Sequence, residues 1–185
     1  MVGRVRIANL ANFLTGLRLV LVPIFMFALF YETGHDFAGR IVAFVIFAIA
    51  CITDRLDGVL ARNYGMATEF GAFVDPVADK ALIGLSMLGD LPWWVTVLIL
   101  TREVGVTLLR VAVIRRGVIA ASWGGKLKTV VQALAIGLFV LPWSEFSEPF
   151  LVVASVVMGI AIVLTVVTGI DYVLSTVKAV RRPPT

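Results

Sequence analysis

The feature that most constrains this chain is a series of apolar stretches separated by short segments rich in charged residues, Gly or Pro. A helix needs about 20 apolar residues to cross the hydrocarbon core of a membrane, and it satisfies its own backbone hydrogen bonds there. We therefore predict an all-α, polytopic membrane protein with six transmembrane helices. The six stretches are Leu10–Tyr31, Ile41–Thr53, Phe70–Leu88, Leu91–Ile114, Thr129–Leu141 and Phe150–Leu174.

Composition excludes a soluble domain, because 60% of the 185 residues are hydrophobic and the mean hydropathy is +1.01. Six spans joined by short loops account for the length of the chain, so residues 1–185 are expected to form a single membrane domain. The second stretch is too short to cross a membrane alone. We expect its helix to continue through Asp54 and Asp57 toward Arg62, with its end in an aqueous or headgroup region.

The distribution of Lys and Arg predicts the orientation, since these residues accumulate on the cytoplasmic side of membrane proteins. With six spans, the exterior loops carry Arg40 alone, and they also hold acidic residues such as Asp90. Both termini are therefore expected in the cytoplasm, with the chain in the inner membrane. The basic residues on the cytoplasmic side are Arg4, Arg6, Arg55, Arg62, Arg115, Arg116, Lys126, Lys128, Lys178, Arg181 and Arg182.

Four aspartates lie within 26 residues of each other, which is unusual in a membrane protein. Asp54 and Asp57 are three residues apart and Asp75 and Asp79 are four apart, so each pair shares one face of a helix. Carboxylates held together repel one another unless a cation lies between them. Oxygen ligands favour Mg²⁺ or Mn²⁺, and the local lack of His and Cys argues against zinc. A cation transporter would also suit these carboxylates.

Small and basic residues flank the carboxylates at helical spacing. Gly58 and Gly71 lie one turn from Asp54 and Asp75, where a missing side chain leaves room for a ligand or allows close helix packing. Arg62 can pair with a phosphate or extend to the membrane interface. Thr68 can cap the next helix or contact a nucleotide.

The complete pattern, D-x-x-D-G-x-x-A-R-x₈-G-x-x-x-D-x-x-x-D, resembles the signature of the CDP-alcohol phosphotransferase family with every fixed position present. The resemblance implies a six-helix membrane enzyme, usually a homodimer, that displaces CMP from a CDP-linked group with an alcohol. It implies that Asp54, Asp57, Asp75 and Asp79 hold a pair of divalent cations, with Asp79 also the general base. This spacing favours an enzyme over a transporter.

Three other segments resemble the branch of the family that makes phosphatidylglycerophosphate. They are Asn9–Arg18 (N-x-P-N-x-L-T-x-x-R, with Ala11 in place of Pro), Arg102–Arg110 (R-E-x₆-R) and Gly125–Gln132 (G-K-x-K-T-x-x-Q). The resemblance implies CDP-diacylglycerol as donor and glycerol 3-phosphate as acceptor, with membrane lipids and no nucleic acid as partners. The implied donor-binding residues are Asn12, Thr15, Gly58, Arg62, Thr68 and Gly71, and those for the acceptor phosphate are Arg102, Arg110, Lys126 and Lys128.

Other acceptors stay open at this point. A phosphatidylinositol-phosphate, cardiolipin or phosphatidylserine synthase would share the aspartate site, and the first of these also uses a phosphorylated acceptor. The R-E and G-K-x-K-T segments favour glycerol 3-phosphate.

Overall fold

A computed structural model describes residues 16–17, 19–63, 76–113, 123–142 and 148–181. These residues form helices joined by short connections, with a 3₁₀ turn at Tyr31–Gly34, and no strand occurs among them. The all-α prediction therefore holds for this part of the chain. The helices are α1 (Leu19–Leu29), α2 (Phe37–Asn63), α3 (Pro76–Met87), α4 (Trp93–Val113), α5 (Trp123–Val140) and α6 (Glu148–Arg181).

Helix α2 confirms the prediction that the second apolar stretch continues into polar sequence. It runs for 27 residues without a break, through Asp54 and Asp57 and on to Asn63. Helices α5 and α6 also extend beyond their apolar stretches, since α5 begins at Trp123 and α6 reaches Arg181. Hydropathy indicates which part of a helix can lie in lipid, whereas backbone hydrogen bonding continues past that part. Polar functional residues can therefore lie on regular helix near the membrane surface.

Two described segments are long and apolar enough to cross a membrane, Phe37–Arg55 and Pro149–Lys178. Helix α4 has 21 residues but contains three charged residues, Arg102, Glu103 and Arg110, which lower its apolar character. Six spans remain a prediction beyond these two. Shorter apolar segments lie at Leu19–Leu29 and Leu127–Val140.

The core lies where the helices pack around α5 and α3. Helix α5 contacts α2, α3 and α6, and α4 also packs against α6. Many large apolar side chains remain on the outside, including Val152 and Val163, which are 60% and 61% exposed on α6. Such a surface suits lipid better than water. The core includes Phe25, Leu29, Phe47, Leu82, Leu85, Ile99, Ile136 and Met158.

A cavity of about 300 Å³ lies between α2 and α5. Its walls are apolar, with Phe44, Cys51 and Leu134 among them, and Arg55 is the one charged residue that lines it. Among the described residues, this cavity therefore does not contain a cluster of charged side chains that could bind a phosphate or a metal ion.

A buried ion pair joins Arg40 of α2 to Asp90 in the connection between α3 and α4. Both side chains are 2% exposed, and Arg40 also donates to the carbonyl oxygens of Gly34 and Phe139. His35 is partly exposed, with its Nε2 3.4 Å from Asp90 Oδ1. From the sequence, both residues were predicted to lie in loops. Asp90 does lie in the α3–α4 connection, whereas Arg40 lies on α2, and the two side chains are buried against each other.

Candidate active site

The first half of the aspartate motif lies on one continuous helix. Asp54 is half-buried on α2, and the backbone of Asp57, Gly58 and Arg62 follows within the same helix. A regular helix places Asp54 and Asp57 within one turn of each other, as predicted from their spacing. The side chains of Asp57 and Arg62 lie outside the described part of the structure.

The last residue of the motif, Asp79, lies in the first turn of α3. Its side chain is half-buried, and α3 packs against α2. Asp54 and Asp79 are thus carried by neighbouring helices, which is the arrangement expected from the motif.

Several predicted site residues lie wholly or by their side chains outside the described part of the structure. Arg110 and Lys126 lie on α4 and α5 by their backbone, but their side chains are not among the described ones. The residues that lie wholly outside the described ranges are Asn12, Thr15, Thr68, Gly71 and Asp75.

The described side chains supply two of the four predicted metal ligands, Asp54 and Asp79. Within these ranges, no group of three or more His, Cys, Asp or Glu residues is arranged to hold a metal ion. The pair that is described consists of carboxylates, which are ligands that suit a hard divalent cation. These carboxylate oxygens therefore suit the predicted divalent cation as ligands. The full set of four ligands would also include Asp57 and Asp75.

A second cluster of charges is centred on Glu103 of α4. Its Oε1 accepts a hydrogen bond from Lys128 Nζ of α5, and its Oε2 lies 3.4 Å from Arg102 Nη1. The side chain of Lys128 is 4% exposed, and that of Arg102 is 17% exposed. Two of the four predicted acceptor-binding cations thus meet at one place and share one carboxylate, which leaves an excess of positive charge among these three side chains.

Helix α6 completes the Glu103 cluster from the other side. Arg102 Nη2 donates to Thr168 Oγ1 at 2.9 Å, and Gly169 lies against the aliphatic part of the Arg102 side chain. Asp171 is exposed on the same helix. The cluster therefore joins α4, α5 and α6.

The aspartate motif and the Glu103 cluster adjoin each other. Lys128 interacts electrostatically with Asp79 of α3 as well as with Arg102. One turn after Lys128, Gln132 is 7% exposed, and its Oε1 has no hydrogen-bond partner among the described residues. A buried oxygen of this kind can accept a hydrogen bond from a ligand. A carboxylate that can take a proton thus lies beside cations that can hold an anion.

The sequence did not place Glu103, Gln132, Thr168 or Gly169 among the predicted site residues. Glu103 and Gln132 lie within the R-E and G-K-x-K-T-x-x-Q segments, but they were not predicted as site residues. Thr168 and Gly169 lie in an even apolar run, and the signal for them is weak, since Thr and Gly are common where membrane helices pack.

Comparison with known proteins identifies one family. The family model described as CDP-alcohol phosphatidyltransferase matches residues 8–167, which is most of the chain and includes the whole aspartate motif.

Curated relatives from several bacteria are similar over most of their length. A probable phosphatidylglycerophosphate synthase of Mycobacterium tuberculosis (strain H37Rv) is 75% identical over 176 residues, which cover 92% of this chain and 83% of the relative. The CDP-diacylglycerol–glycerol-3-phosphate 3-phosphatidyltransferase of Bacillus subtilis is 35% identical, with 89% of this chain and 93% of the relative covered. The enzyme of that name from Escherichia coli (strain K12) is 37% identical, with 69% and 74% covered.

Proposed function

Because the chain belongs to the CDP-alcohol phosphatidyltransferase family, we propose that it transfers the phosphatidyl group of CDP-diacylglycerol to glycerol 3-phosphate. The products are phosphatidylglycerophosphate and CMP. The names of the relatives support the reaction type that the sequence predicts. These relatives are phosphatidylglycerophosphate synthases and CDP-diacylglycerol–glycerol-3-phosphate 3-phosphatidyltransferases. The observation that carries the proposal for this chain is the position of Lys128, which bonds Glu103 beside Arg102 and also interacts with Asp79.

The donor is held at the aspartate motif. Enzymes of this family use divalent metal ions, and we propose a pair of Mg²⁺ or Mn²⁺ ions held by Asp54, Asp57, Asp75 and Asp79. Such ions would neutralise charge on the diphosphate and help CMP to leave. The residues proposed to line the rest of the donor site are Asn12, Thr15, Gly58, Arg62, Thr68 and Gly71.

Asp79 is proposed to act as the general base. It accepts the proton of the glycerol 3-phosphate hydroxyl as the hydroxyl oxygen attacks the phosphorus that carries the diacylglycerol. A new P–O bond forms to the acceptor, the P–O bond to CMP breaks, and CMP departs with the bonding electron pair. The Asp79 side chain is half-buried on α3, which packs against α2, the helix that carries Asp54.

The acceptor phosphate is proposed to bind Arg102 and Lys128, with Arg110 and Lys126 on the same two helices as further cations. Glu103 contacts both Arg102 and Lys128. A phosphate carries more charge than a carboxylate and accepts several hydrogen bonds, so it can replace or join Glu103 there. An unphosphorylated alcohol has no such partner, which would give the enzyme its selectivity.

Replacing Lys128 with Met should raise the KM for glycerol 3-phosphate about ten- to a hundred-fold. The loss of one charge-assisted hydrogen bond costs ~1.5 to 3 kcal/mol, which corresponds to that range of affinity. The KM for CDP-diacylglycerol should change much less, because the donor binds at the aspartate motif. Initial rates of CMP release at varied concentrations of each substrate measure both constants.

Lys178→Met serves as the matched control, since Lys178 is exposed on α6 and lies outside the proposed pocket. It should leave both constants near the wild-type values. An equal rise in KM for the two substrates in Lys128→Met would contradict the division of labour between the two clusters.

We also propose that both termini and the segment between α4 and α5 face the cytoplasm, with the enzyme in the inner membrane as a homodimer. Charge asymmetry supports the orientation. In a Cys51→Ser background, a single cysteine at Arg116 should resist an impermeant thiol reagent in intact cells and react after permeabilisation. Labelling from outside intact cells would show that the orientation is opposite to the proposed one.

Native mass spectrometry in detergent tests the proposed homodimer. Detection of the monomer mass alone would rule out the dimer under those conditions.

A further inference from the structure

The guanidinium of Arg102 is held by α6 as well as by its neighbour Glu103. Its Nη2 donates to Thr168 Oγ1 at 2.9 Å, and Thr168 is 9% exposed. The Thr168 hydroxyl donates its own proton to the carbonyl oxygen of Leu164 at 2.6 Å. Because a hydroxyl has one proton, this second bond leaves its lone pairs available to Arg102.

Gly169 provides the space in which the Arg102 side chain lies. A Cβ atom built on Gly169 would stand 3.3 Å from Arg102 Cγ and 3.5 Å from Arg102 Nε. The first distance is tighter than most carbon contacts, so any larger residue would push the Arg102 side chain away from α6. The adjacent residues Thr168 and Gly169 thus fix the orientation and the path of this one side chain.

The other terminal nitrogen of the same guanidinium faces Glu103. Arg102 Nη1 lies 3.4 Å from Glu103 Oε2, while Lys128 bonds the other oxygen of that carboxylate. Arg102 is therefore held between a neutral acceptor on α6 and a charged acceptor on α4. If an anion replaces Glu103, the contact with Thr168 can remain and keep the guanidinium directed at the same place.

We propose that Thr168 and Gly169 are positioning residues for the acceptor, acting through Arg102 without touching the substrate. This inference rests on the proposed function, in which Arg102 binds the phosphate of glycerol 3-phosphate. A planar guanidinium recognises phosphate through two N–H groups of fixed geometry, so its orientation decides whether both can bond. Thr168 and Gly169 supply that orientation from α6.

The first test is Thr168→Val, which keeps the shape of the side chain and removes the acceptor oxygen. We expect the KM for glycerol 3-phosphate to rise roughly ten-fold, the effect of one hydrogen bond to a charged group. The KM for CDP-diacylglycerol should stay within about two-fold, since the aspartate motif is unchanged. Thr168→Ser retains the hydroxyl and should restore the wild-type KM, which a purely structural role of the Thr side chain would not predict.

The matched control for the hydroxyl is Thr176→Val on the same helix. Thr176 is 3% exposed, and its Oγ1 has no hydrogen-bond partner within the described ranges. Removal of this hydroxyl should leave the KM for both substrates unchanged.

The second test compares Gly169→Ala with Gly159→Ala. Both substitutions raise the helix propensity of α6 by the same amount, but a Cβ at Gly159 would meet no atom within 4 Å. Gly169→Ala should raise the KM for glycerol 3-phosphate several-fold, whereas Gly159→Ala should not. This comparison also gives a result if Thr168→Val proves too unstable to purify.

Arg102→Ala separates failure of this inference from failure of the proposed function. If Arg102→Ala raises the KM for glycerol 3-phosphate and neither Thr168→Val nor Gly169→Ala does, the positioning role is wrong and the acceptor pocket stands. If Arg102→Ala leaves that KM unchanged, the acceptor pocket itself is wrong. Equal loss for both substrates in Thr168→Val, without rescue by Thr168→Ser, would indicate a structural role and overturn the inference.

Discussion

Replacing Asp79 with Asn is expected to lower kcat by at least about 100-fold, the smaller end of what a general base contributes. Asn has nearly the same shape as Asp, but it cannot accept the proton of the attacking hydroxyl, and it is a weaker metal ligand. Because Asp79 is proposed in both roles, the loss should exceed that from removing a base alone. The release of CMP from CDP-diacylglycerol, followed over time with saturating glycerol 3-phosphate, measures it.

The metal requirement provides an independent check on the Asp79 variant. Chelation with EDTA should abolish turnover by the wild-type enzyme, and added Mg²⁺ or Mn²⁺ should restore it. Glu32→Gln removes an exposed carboxylate outside the motif, and we expect it to leave kcat unchanged. Near-normal activity of Asp79→Asn, or full activity in EDTA, would remove the basis for the proposed catalytic centre.

The largest expected effect on stability comes from Asp90→Leu. Arg40 is 2% exposed and pairs with Asp90, so this substitution leaves a buried positive charge without its carboxylate. Breaking a buried ion pair from one side costs about 3 to 5 kcal/mol, because the remaining charge stays desolvated. Denaturant-induced unfolding in detergent micelles should show this loss.

The double variant Arg40→Met/Asp90→Leu should recover most of the stability lost in Asp90→Leu, because it removes both charges and leaves apolar groups of similar size. His35→Ala is the control, since His35 is half exposed and contacts the same Asp90. It should change stability much less. A double variant no more stable than Asp90→Leu would show that local packing, and not the unpaired charge, determines the effect.

The Arg40–Asp90 pair lies near the start of α2, whereas Asp79 belongs to the proposed site that includes Asp54, further along the same helix. Arg40 and Asp54 are 14 residues apart on this helix, which corresponds to roughly 21 Å along its axis. Asp90→Leu should therefore affect unfolding more than the kcat of the folded fraction, and Asp79→Asn should do the reverse.

Features that depend on local periodicity were predictable from the sequence. The extension of α2 past Asp54 followed from helical spacing, because Asp54, Asp57 and Gly58 share a face only on a helix. The packing of the helix that carries Asp79 against α2 followed from the same motif. The family itself could be inferred because eight fixed positions at set intervals carry far more information than composition does.

Features that depend on tertiary packing could not be predicted in this way. Arg40 and Asp90 are 50 residues apart, and their pairing requires the 3₁₀ turn and the α3–α4 connection to close over them. The contact between Arg102 and Thr168 spans 66 residues and depends on how α6 rotates against α4. No local pattern specifies that rotation, since α6 is apolar nearly all round. Six transmembrane spans also remain a prediction, because α4 combines sufficient length with charged residues.

The most direct test of the proposed function uses the purified enzyme with CDP-diacylglycerol, Mg²⁺ and a panel of alcohol acceptors. The panel contains glycerol 3-phosphate, glycerol, serine, inositol, inositol 1-phosphate and phosphatidylglycerol, and the readouts are CMP release and the mass of the lipid product. We predict that glycerol 3-phosphate gives phosphatidylglycerophosphate with the highest kcat/KM, and that glycerol is a poor acceptor. Preferred use of inositol 1-phosphate, or glycerol as good an acceptor as glycerol 3-phosphate, would contradict the proposal.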